Sequence, residues 1–373
     1  MEITRLLKHE WPLAVTSITT LLFLVFGKNW FVDLSNPIWF VFILTWLFAT
    51  ILLSAFAVVR HADAIAFRLG EPLGTLVLTL SMSGMEMMMI AAVMYSTQGA
   101  SSLGRDTMFA ILMIVLNGLV GTCLLLGGLR YHEQTYNLYG ANAFLAVILP
   151  LSVLGLILPS FTISSPGPTY SVLQSTFLVI MSIGLYGVFL GIQTTRHRDY
   201  FVFEVNANES KNNNVDSDHV ADVRSTKYHA VLLLTYVFPI VLLAKQIAVP
   251  INYGINVLGA PAALGGLLVA ILILSPECMA AARAALGNQL QRSINLSLGT
   301  ALSSISLTIP AVLIIGFIAN KTIILGLAPA DMVLLLLTLS VGMITFALER
   351  TNVLFGAVHL LLFLAYLMLI FEK

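Results

Sequence analysis

The stretch LGTLVLTLSMSGME, residues 73–86, carries one acidic side chain, Glu86, at the end of a run of apolar and small residues. A second stretch, LGGLLVAILILSPE at residues 264–277, aligns with the first without a gap and ends in Glu277. The surrounding chain is equally apolar, because 58% of its 373 residues are hydrophobic and only 10% are charged. Soluble domains carry about 25% charged residues. The composition therefore predicts an all-α polytopic membrane protein.

Long apolar runs locate the membrane spans. A spanning helix needs about 20 mostly apolar residues to cross a hydrocarbon core about 30 Å thick. Such runs predict about eleven spans, numbered in chain order: 11–27, 37–59, 72–95, 107–128, 141–160, 170–193, 229–249, 256–282, 296–318, 330–348 and 353–371. Cytoplasmic loops are enriched in Lys and Arg, and thirteen of the eighteen such residues fall on one side if the N-terminus is cytoplasmic. We therefore predict a cytoplasmic N-terminus and an external C-terminus.

The charge balance and the cysteines exclude several other classes of protein. Basic and acidic residues number eighteen each, so the net charge does not indicate a nucleic-acid partner. Cys123 and Cys278 both lie in apolar runs, which indicates neither a disulfide framework nor a thiolate metal site. We predict no cofactor and no obligatory protein partner. The expected partners are the lipid bilayer and small ions.

The alignment of the two opening stretches extends into an internal repeat. At an offset of 191 residues Glu86 falls on Glu277, and after a slip of about four residues Asn117 falls on Ser304. Spans 2–6 then correspond to spans 7–11, and span 1 is left over. Five is an odd number, so the second unit enters the membrane from the opposite side, as in secondary transporters. We predict a peripheral first span (1–30), repeat 1 (31–195), a cytoplasmic hydrophilic loop (196–228) and an inverted repeat 2 (229–373).

The two repeated glutamates are the candidate functional residues. Glu86 lies about ten residues from the nearer end of its span, which is close to the membrane midplane at about 1.5 Å per residue, and Glu277 is similarly deep. An ionised carboxylate there is costly unless it is paired, hydrated or protonated. Neither glutamate has a Lys or Arg nearby in its span. The neutralising partner is therefore a proton or a diffusible cation, and one divalent cation or two protons would serve equally well.

Oxygen-bearing side chains near the glutamates are the further candidate ligands. Hard cations such as Ca²⁺ bind six to eight oxygens. The predicted set, besides Glu86 and Glu277, is Ser83, Ser275, Asn117, Ser303 and Ser304, with Ser81 and Thr308 nearby. We also expect Gly84 and Pro276 to break their helices and free backbone carbonyls. The alternative is that each serine packs or bonds within its own helix.

Several stretches of the sequence resemble one family. They are HADAIAFRLGEPLGTLVLTL (61–80), RDTMFAILMIVLNGLVG (105–121), LYGVFLGIQTTRHRDYF (185–201), LILSPECMAAARAALGNQLQRSINLSLGTALSSISLTIPAV (272–312) and RTNVLFGAVHLLLFLAYL (350–367). They are similar to the bacterial sodium- or potassium/calcium-proton antiporters of the calcium/cation antiporter superfamily. The resemblance implies a cation/proton exchanger of the inner membrane. It also implies that the two glutamates are shared by cation and proton, and that spans 3, 4, 8 and 9 surround them.

One difference from the wider superfamily affects the choice of ion. That superfamily often has Gly-Asn three to four residues before each glutamate, where this chain has Met82-Ser83 and Ile273-Leu274. The resemblance implies export of Ca²⁺ in exchange for H⁺ by alternating access, and the missing amide ligands keep Na⁺/H⁺ or K⁺/H⁺ exchange as the alternative. An intramembrane enzyme and a passive channel are the alternatives of another class. No metalloprotease or serine-hydrolase motif supports the enzyme.

Two histidines and one loop give weaker predictions. His61 and Asp63 lie before span 3, either as a proton relay at the cytoplasmic mouth or as a surface turn. We expect His359 in span 11 to pack or to form a hydrogen bond between helices. The acidic loop 196–228 lacks the pattern of an EF-hand and is predicted to be a linker.

Overall fold

The computed structural model describes residues 10–69, 73–96, 102–201 and 225–372, and these residues form eleven long helices. The helices are α1 (Trp11–Trp30), α2 (Pro37–Leu69), α3 (Leu73–Ser96), α4 (Leu103–Tyr131), α5 (Leu138–Ser160), α6 (Val172–Arg196), α7 (Thr226–Asn256), α8 (Ala262–Leu286), α9 (Leu290–Ala319), α10 (Pro329–Thr345) and α11 (Val353–Phe371). Each predicted span overlaps one of them. Most of the predicted loop 196–228 lies outside the described residues.

The helices have the length and composition of membrane spans. Nine of the described helices are long and apolar enough to cross a bilayer, and two shorter apolar segments, Thr79–Met94 in α3 and Pro329–Thr345 in α10, accompany them. The β-structure of the described residues is one antiparallel pair, β1 (Gln134–Thr135) with β2 (Arg350–Thr351). The predicted class, an all-α polytopic membrane protein, is confirmed.

The contacts between helices repeat under exchange of the two halves of the chain. Helix α3 packs against α9, and α8 packs against α4. Likewise α4 packs against α11, and α9 packs against α6. Replacing each of α2–α6 by its counterpart among α7–α11 converts one contact of each pair into the other, as the repeat predicts. Helix α1 lies outside this scheme and packs against α2 and α7. The domain limits themselves stay a prediction.

Close approach of α4 to its neighbours depends on glycine. A Cβ atom at Gly266 of α8 would lie 2.8 Å from the backbone carbon of Asp106 in α4. A Cβ atom at Gly356 of α11 would lie 2.5 Å from the backbone nitrogen of Leu125 in α4. Small residues let membrane helices approach each other closely, where dispersion forces and weak hydrogen bonds act at short range. These glycines therefore fix α4 between α8 and α11.

The expectation that Gly84 and Pro276 break their helices is wrong. Helix α3 runs unbroken from Leu73 to Ser96, and α8 runs unbroken from Ala262 to Leu286 with Pro276 inside it. A glycine costs a helix only about 1 kcal/mol relative to alanine. A proline removes one N–H donor, and packing against neighbouring helices offsets that loss. The irregular turns lie elsewhere, as π-helical segments in α4 (Ile114–Leu119), α5 (Val153–Ile157) and α6 (Ile192–Arg196).

Helix α2 ends ten residues later than predicted, at Leu69 instead of residue 59. His61 is consequently buried inside this helix, with 2% of its surface exposed, instead of lying on a surface turn. Asp63 is exposed on the same helix.

Candidate functional site

Glu86 is buried between α3 and α9, with 3% of its surface exposed. Its Oε2 atom accepts a hydrogen bond of 2.6 Å from the hydroxyl of Ser304, and its Oε1 atom accepts one of 2.9 Å from the hydroxyl of Thr308. Residues four apart lie on one face of a helix, so α9 presents both hydroxyls to the same carboxylate. Hydrogen bonds to charged groups contribute about 1.5–3 kcal/mol each. Glu86 is thus held at both oxygens by neutral donors.

Glu277 is only partly buried and contacts the same face of α9. Its Oε2 atom accepts a hydrogen bond of 2.6 Å from the hydroxyl of Thr300. Thr300 precedes Ser304 by four residues, so Thr300, Ser304 and Thr308 form a row of hydroxyls along α9. We call these three residues the hydroxyl row. It connects the two glutamates through one helix.

A cavity of about 240 Å³ reaches Glu277. Thr300 and Ser303 lie beside Glu277 in its wall, and Asp63, Arg198 and Arg292 supply the charged part of the lining. Glu86 does not line this cavity. The two repeated glutamates are therefore in different situations: one is reached from an open space, and the other is enclosed by protein.

Two of the predicted serine ligands, Ser275 and Ser303, use their hydroxyls within their own helices. Ser275 donates to the carbonyl of Ile271, and Ser303 donates to the carbonyl of Thr300 at 3.1 Å. Ser83 is buried in α3 one turn before Glu86. Their oxygens retain lone pairs, so such bonds leave them able to act as cation ligands. Among the hydroxyls named from the sequence, those of Ser304 and Thr308 contact a glutamate directly, and both donate to Glu86.

Asn117 lies in the π-helical turn of α4 and faces α10 and α11 instead of the glutamates. Its Nδ2 atom donates to Thr338 Oγ1 at 2.8 Å, and its Oδ1 atom lies 3.2 Å from His359 Nδ1. Thr345 Oγ1 lies 3.0 Å from His359 Nε2. All four side chains are fully buried. His359 therefore forms the hydrogen bond between helices that the sequence predicts, and its partner is the asparagine that we predicted as a ligand.

Neither glutamate forms an ion pair with a fixed cation among the described residues, although Arg198 and Arg292 line the cavity that reaches Glu277. Within the described part of the chain, no Lys, Arg or His lies within ion-pair distance of Glu86 or Glu277. The same residues contain no cluster of three or more His, Cys, Asp or Glu of the kind that holds a resident metal. The chemistry of the site is that of carboxylates and hydroxyls, which suit hard cations and protons.

Thr300, which contacts Glu277, is not among the residues predicted from the sequence. Its position four residues before Ser304 was a usable signal, because a helix repeats its faces at that spacing. The cavity had no such signal, because its lining comes from α2, α3, α5, α6, α8 and α9.

A helical membrane protein with repeat-related carboxylates between crossing helices belongs to the class of secondary carriers. The family model described as sodium/calcium exchanger protein matches residues 39–195 and 228–372. The chain therefore belongs to the sodium/calcium exchanger family. It is a multi-pass membrane protein that exchanges cations. Members of this family are ion exchangers, so the enzyme alternative is excluded.

Known proteins agree with this assignment. The chain is 41% identical over 322 residues to the sodium-potassium/proton antiporter ChaA of Escherichia coli strain K12, which covers 86% of each chain. The solved structure of native YfkE has a TM-score of 0.72 at 15% identity and covers 96% of this chain and 99% of that one. The structure of the H⁺/Ca²⁺ exchanger CAX has a TM-score of 0.67 at 15% identity, with 97% and 88% covered. At such low identity the two structures show a common fold.

Proposed function

We propose that this chain is a cation/proton antiporter in which Glu86 and Glu277 bind either the cation or protons. The observation that carries the proposal is that both carboxylates accept hydrogen bonds from neutral hydroxyls, while within the part of the chain that the structure describes neither forms an ion pair with a fixed cation. Burying an ionised carboxylate without a counter-charge is unfavourable. The counter-charge must therefore arrive from solution, and the two species that exchange are the two that neutralise the site.

The proposed ligand set is centred on the hydroxyl row. Glu86, Glu277, Thr300, Ser304 and Thr308 supply carboxylate and hydroxyl oxygens from three helices. A hydroxyl that donates to a carboxylate can still offer its lone pairs to a cation. Ser83, Ser275, Ser303 and Asn117 remain proposed additional ligands. Binding of a proton turns a carboxylate into a neutral acid, which no longer holds the cation.

The difference between the two glutamates supports alternating access. Glu277 is open to the cavity while Glu86 is enclosed. Arg198 and Arg292 line that cavity, and both belong to the side that the distribution of Lys and Arg predicts to be cytoplasmic. We therefore propose that the described conformation faces the cytoplasm of a bacterial cell, with the chain in the inner membrane, the N-terminus inside and the C-terminus outside.

Ca²⁺ is the first candidate for the transported cation. Two carboxylates carry two negative charges, which one divalent cation neutralises, and the export of Ca²⁺ would then draw protons inward. Na⁺ or K⁺ is the second candidate, because the 41% identical relative bears the name sodium-potassium/proton antiporter. The absence of amide ligands beside the glutamates also leaves fewer neutral oxygens available for the six to eight that a Ca²⁺ shell needs.

Proton movement in proteoliposomes tests the proposal. Vesicles containing the purified chain and an imposed pH gradient receive Ca²⁺, Na⁺ or K⁺ in turn, and a fluorescent dye reports the gradient. We expect at least one cation to collapse it. Glu86→Gln and Glu277→Gln should each lower the rate more than about a hundredfold, the equivalent of roughly 2.7 kcal/mol, because a neutral amide cannot trade a proton for a cation.

The control is Glu133→Gln, which removes an exposed acid that pairs with Arg350 at the protein surface. This variant should exchange at the wild-type rate. Collapse by Ca²⁺ alone would assign calcium, and collapse by Na⁺ or K⁺ alone would assign the second candidate. Conductance without proton movement would support the channel alternative, and wild-type rates in either glutamate variant would refute the proposed site.

A further inference from the structure

A second group of ionisable side chains lies away from the transport site, where the start of α1 meets α2 and α7. Glu10 Oε2 accepts from Arg60 Nη2 at 2.7 Å and from the hydroxyl of Tyr236 at 2.8 Å. His61 Nε2 lies 3.4 Å from the same carboxylate oxygen. On its other side, His61 Nδ1 lies 3.0 Å from Nδ1 of His229. We call Glu10, Arg60, His61, His229 and Tyr236 the Glu10 cluster.

The contact between the two imidazoles limits how many protons the pair can hold. A nitrogen-to-nitrogen distance of 3.0 Å is a hydrogen bond, and it requires one N–H donor facing one bare nitrogen. Of the four ring nitrogens, at most three can then carry hydrogen. The pair therefore holds one additional proton with its contact intact. A second proton would set two N–H groups against each other and break it.

Charged and polar groups face the two imidazoles from the segment before α1, from α2 and from α7. Glu10 comes from the segment before α1, Arg60 from α2, and Tyr228 and Tyr236 from α7. Burial by itself would raise the pKa of Glu10, but the hydrogen bonds from His61 and Tyr236 and the charge of Arg60 outweigh it and lower the pKa of this carboxyl to about 2. Glu10 thus stays ionised near neutral pH, where histidine ordinarily titrates.

The position of His61 on α2 connects the cluster to the transport cavity. Val59 and Asp63, two residues on either side of His61, line the cavity wall. Residues two apart lie on nearly opposite faces of a helix. His61 therefore lies on the face of α2 opposite to the face that lines the cavity. The contact between His61 and His229 therefore joins α7 to a helix that forms part of the cavity wall.

We propose that His61, His229 and Glu10 form a proton-binding site, distinct from the two transport glutamates, that fastens α1, α2 and α7 together and releases them when a second proton enters. The ligand is the proton itself, taken from the side of the membrane that holds the cavity mouth. Binding of the first proton preserves the cavity wall. Binding of the second, in more acidic solution, loosens it and slows exchange. The effect on exchange rests on the proposed function, whereas proton binding does not.

Direct titration tests the binding site without any need for transport. The purified Glu86→Gln variant is labelled with ¹⁵N-histidine, and the imidazole signals are followed by NMR from pH 8 to pH 5. Assignment comes from His61→Gln and His229→Gln. We expect the two histidines to titrate as a pair, so that replacing either one shifts the midpoint of the other. His197→Gln, which removes an exposed histidine on the same predicted side, should shift neither. Independent titration of His61 and His229 would overturn the proposal.

Exchange measured against pH tests the coupling to transport. With a constant imposed gradient, the wild-type rate should fall on the acidic side, and His229→Gln should lose that fall while His197→Gln keeps it. If His229→Gln does not fold, Tyr236→Phe serves instead. This variant removes one hydrogen bond from Glu10, so the carboxylate attracts a protonated imidazole more strongly. The decrease of the exchange rate at acidic pH should therefore begin at a higher pH. An unchanged profile in both variants would overturn the coupling even if the histidines titrate as a pair.

Discussion

Glu10 and Glu86 are both buried carboxylates, and their surroundings are opposite. Glu10 contacts the guanidinium of Arg60 at 2.7 Å, so its counter-charge is part of the protein. Glu86 contacts two hydroxyls, which stabilise its charge but do not neutralise it. A carboxylate in a permanent ion pair does not need a proton or a cation from solution. A buried carboxylate without a built-in counter-charge must take a proton or a cation from solution, and a carrier works by exchanging those two species.

Glu277 extends the comparison. It resembles Glu86 in having a hydroxyl partner on α9, yet it faces the cavity. The two transport glutamates thus share their chemistry and differ in access, whereas Glu10 differs from both in chemistry. The internal repeat explains why the two transport glutamates share their chemistry, because it places equivalent acids on helices of opposite direction.

Adding a fixed positive charge beside Glu277 should have the largest effect. Thr300→Lys would turn the neutral partner of Glu277 into an ammonium group, with the cavity providing room for it. We expect exchange to fall by more than about a hundredfold, because a built-in counter-ion of this kind is worth several kcal/mol in a buried setting. Proteoliposome exchange measures the loss. The matched variant Thr300→Val, which removes the hydroxyl without adding charge, should retain more activity, and equal losses in the two would break the comparison.

Removing one of the two hydroxyl partners of Glu86 should have a smaller effect. Ser304→Ala or Thr308→Val deletes one of its two hydrogen bonds. At about 1.5 kcal/mol for a hydrogen bond to a charged group, the apparent affinity for the cation should fall roughly tenfold. Ser297→Ala is the control, since that hydroxyl on the same helix donates to the carbonyl of Ser293 within its own helix, and it should change the affinity less than about twofold. A larger loss in Ser297→Ala than in Ser304→Ala would contradict the assignment.

Asn117 should show an effect that depends on the side of the membrane. It is the repeat equivalent of Ser304, yet in this conformation its amide contacts Thr338 and His359. If Asn117 serves Glu277 in the opposite conformation, Asn117→Ala should lower the cation affinity about threefold, or roughly 0.6 kcal/mol, from the far side alone. Exchange measured in both directions across vesicles that hold the protein in one known orientation tests this prediction. No effect from either side would make Asn117 a packing residue.

The sequence predicted the spans and the two glutamates because both depend on local patterns. Apolar run length identifies a span, and an isolated acid within it stands out. Ser304 was found through the repeat, but the orientation of Asn117 depends on a π-helical turn and on two distant helices, which no local pattern reveals. The surroundings of His61 were missed for a similar reason. The polar residues Arg60 and Asp63 ended the apolar run, whereas the helix continues to Leu69, and Arg60 pairs with Glu10 fifty positions away, which no local pattern reveals.

The smallest expected effect concerns Glu10 and the stability of the fold. The pKa of Glu10 is lowered from its ordinary 4.5 to about 2, so its stabilising contribution is complete above about pH 4.5 and is lost as the pH falls toward 2. Thermal unfolding in detergent at pH 5 and pH 3 should show a larger loss for the wild type than for Glu10→Gln. Equal losses would mean that the Glu10 cluster does not hold α1 in place.

The most direct test of the central claim is the number of protons released when the cation binds. Purified protein in weakly buffered detergent solution is titrated with Ca²⁺, Na⁺ or K⁺, and a pH indicator records the protons that appear. If the transport glutamates take their counter-charge from solution, binding of the effective cation must release protons, and Glu86→Gln with Glu277→Gln must abolish both binding and release while Glu133→Gln preserves them. Cation binding without proton release, or proton release that survives the loss of both glutamates, would contradict the account.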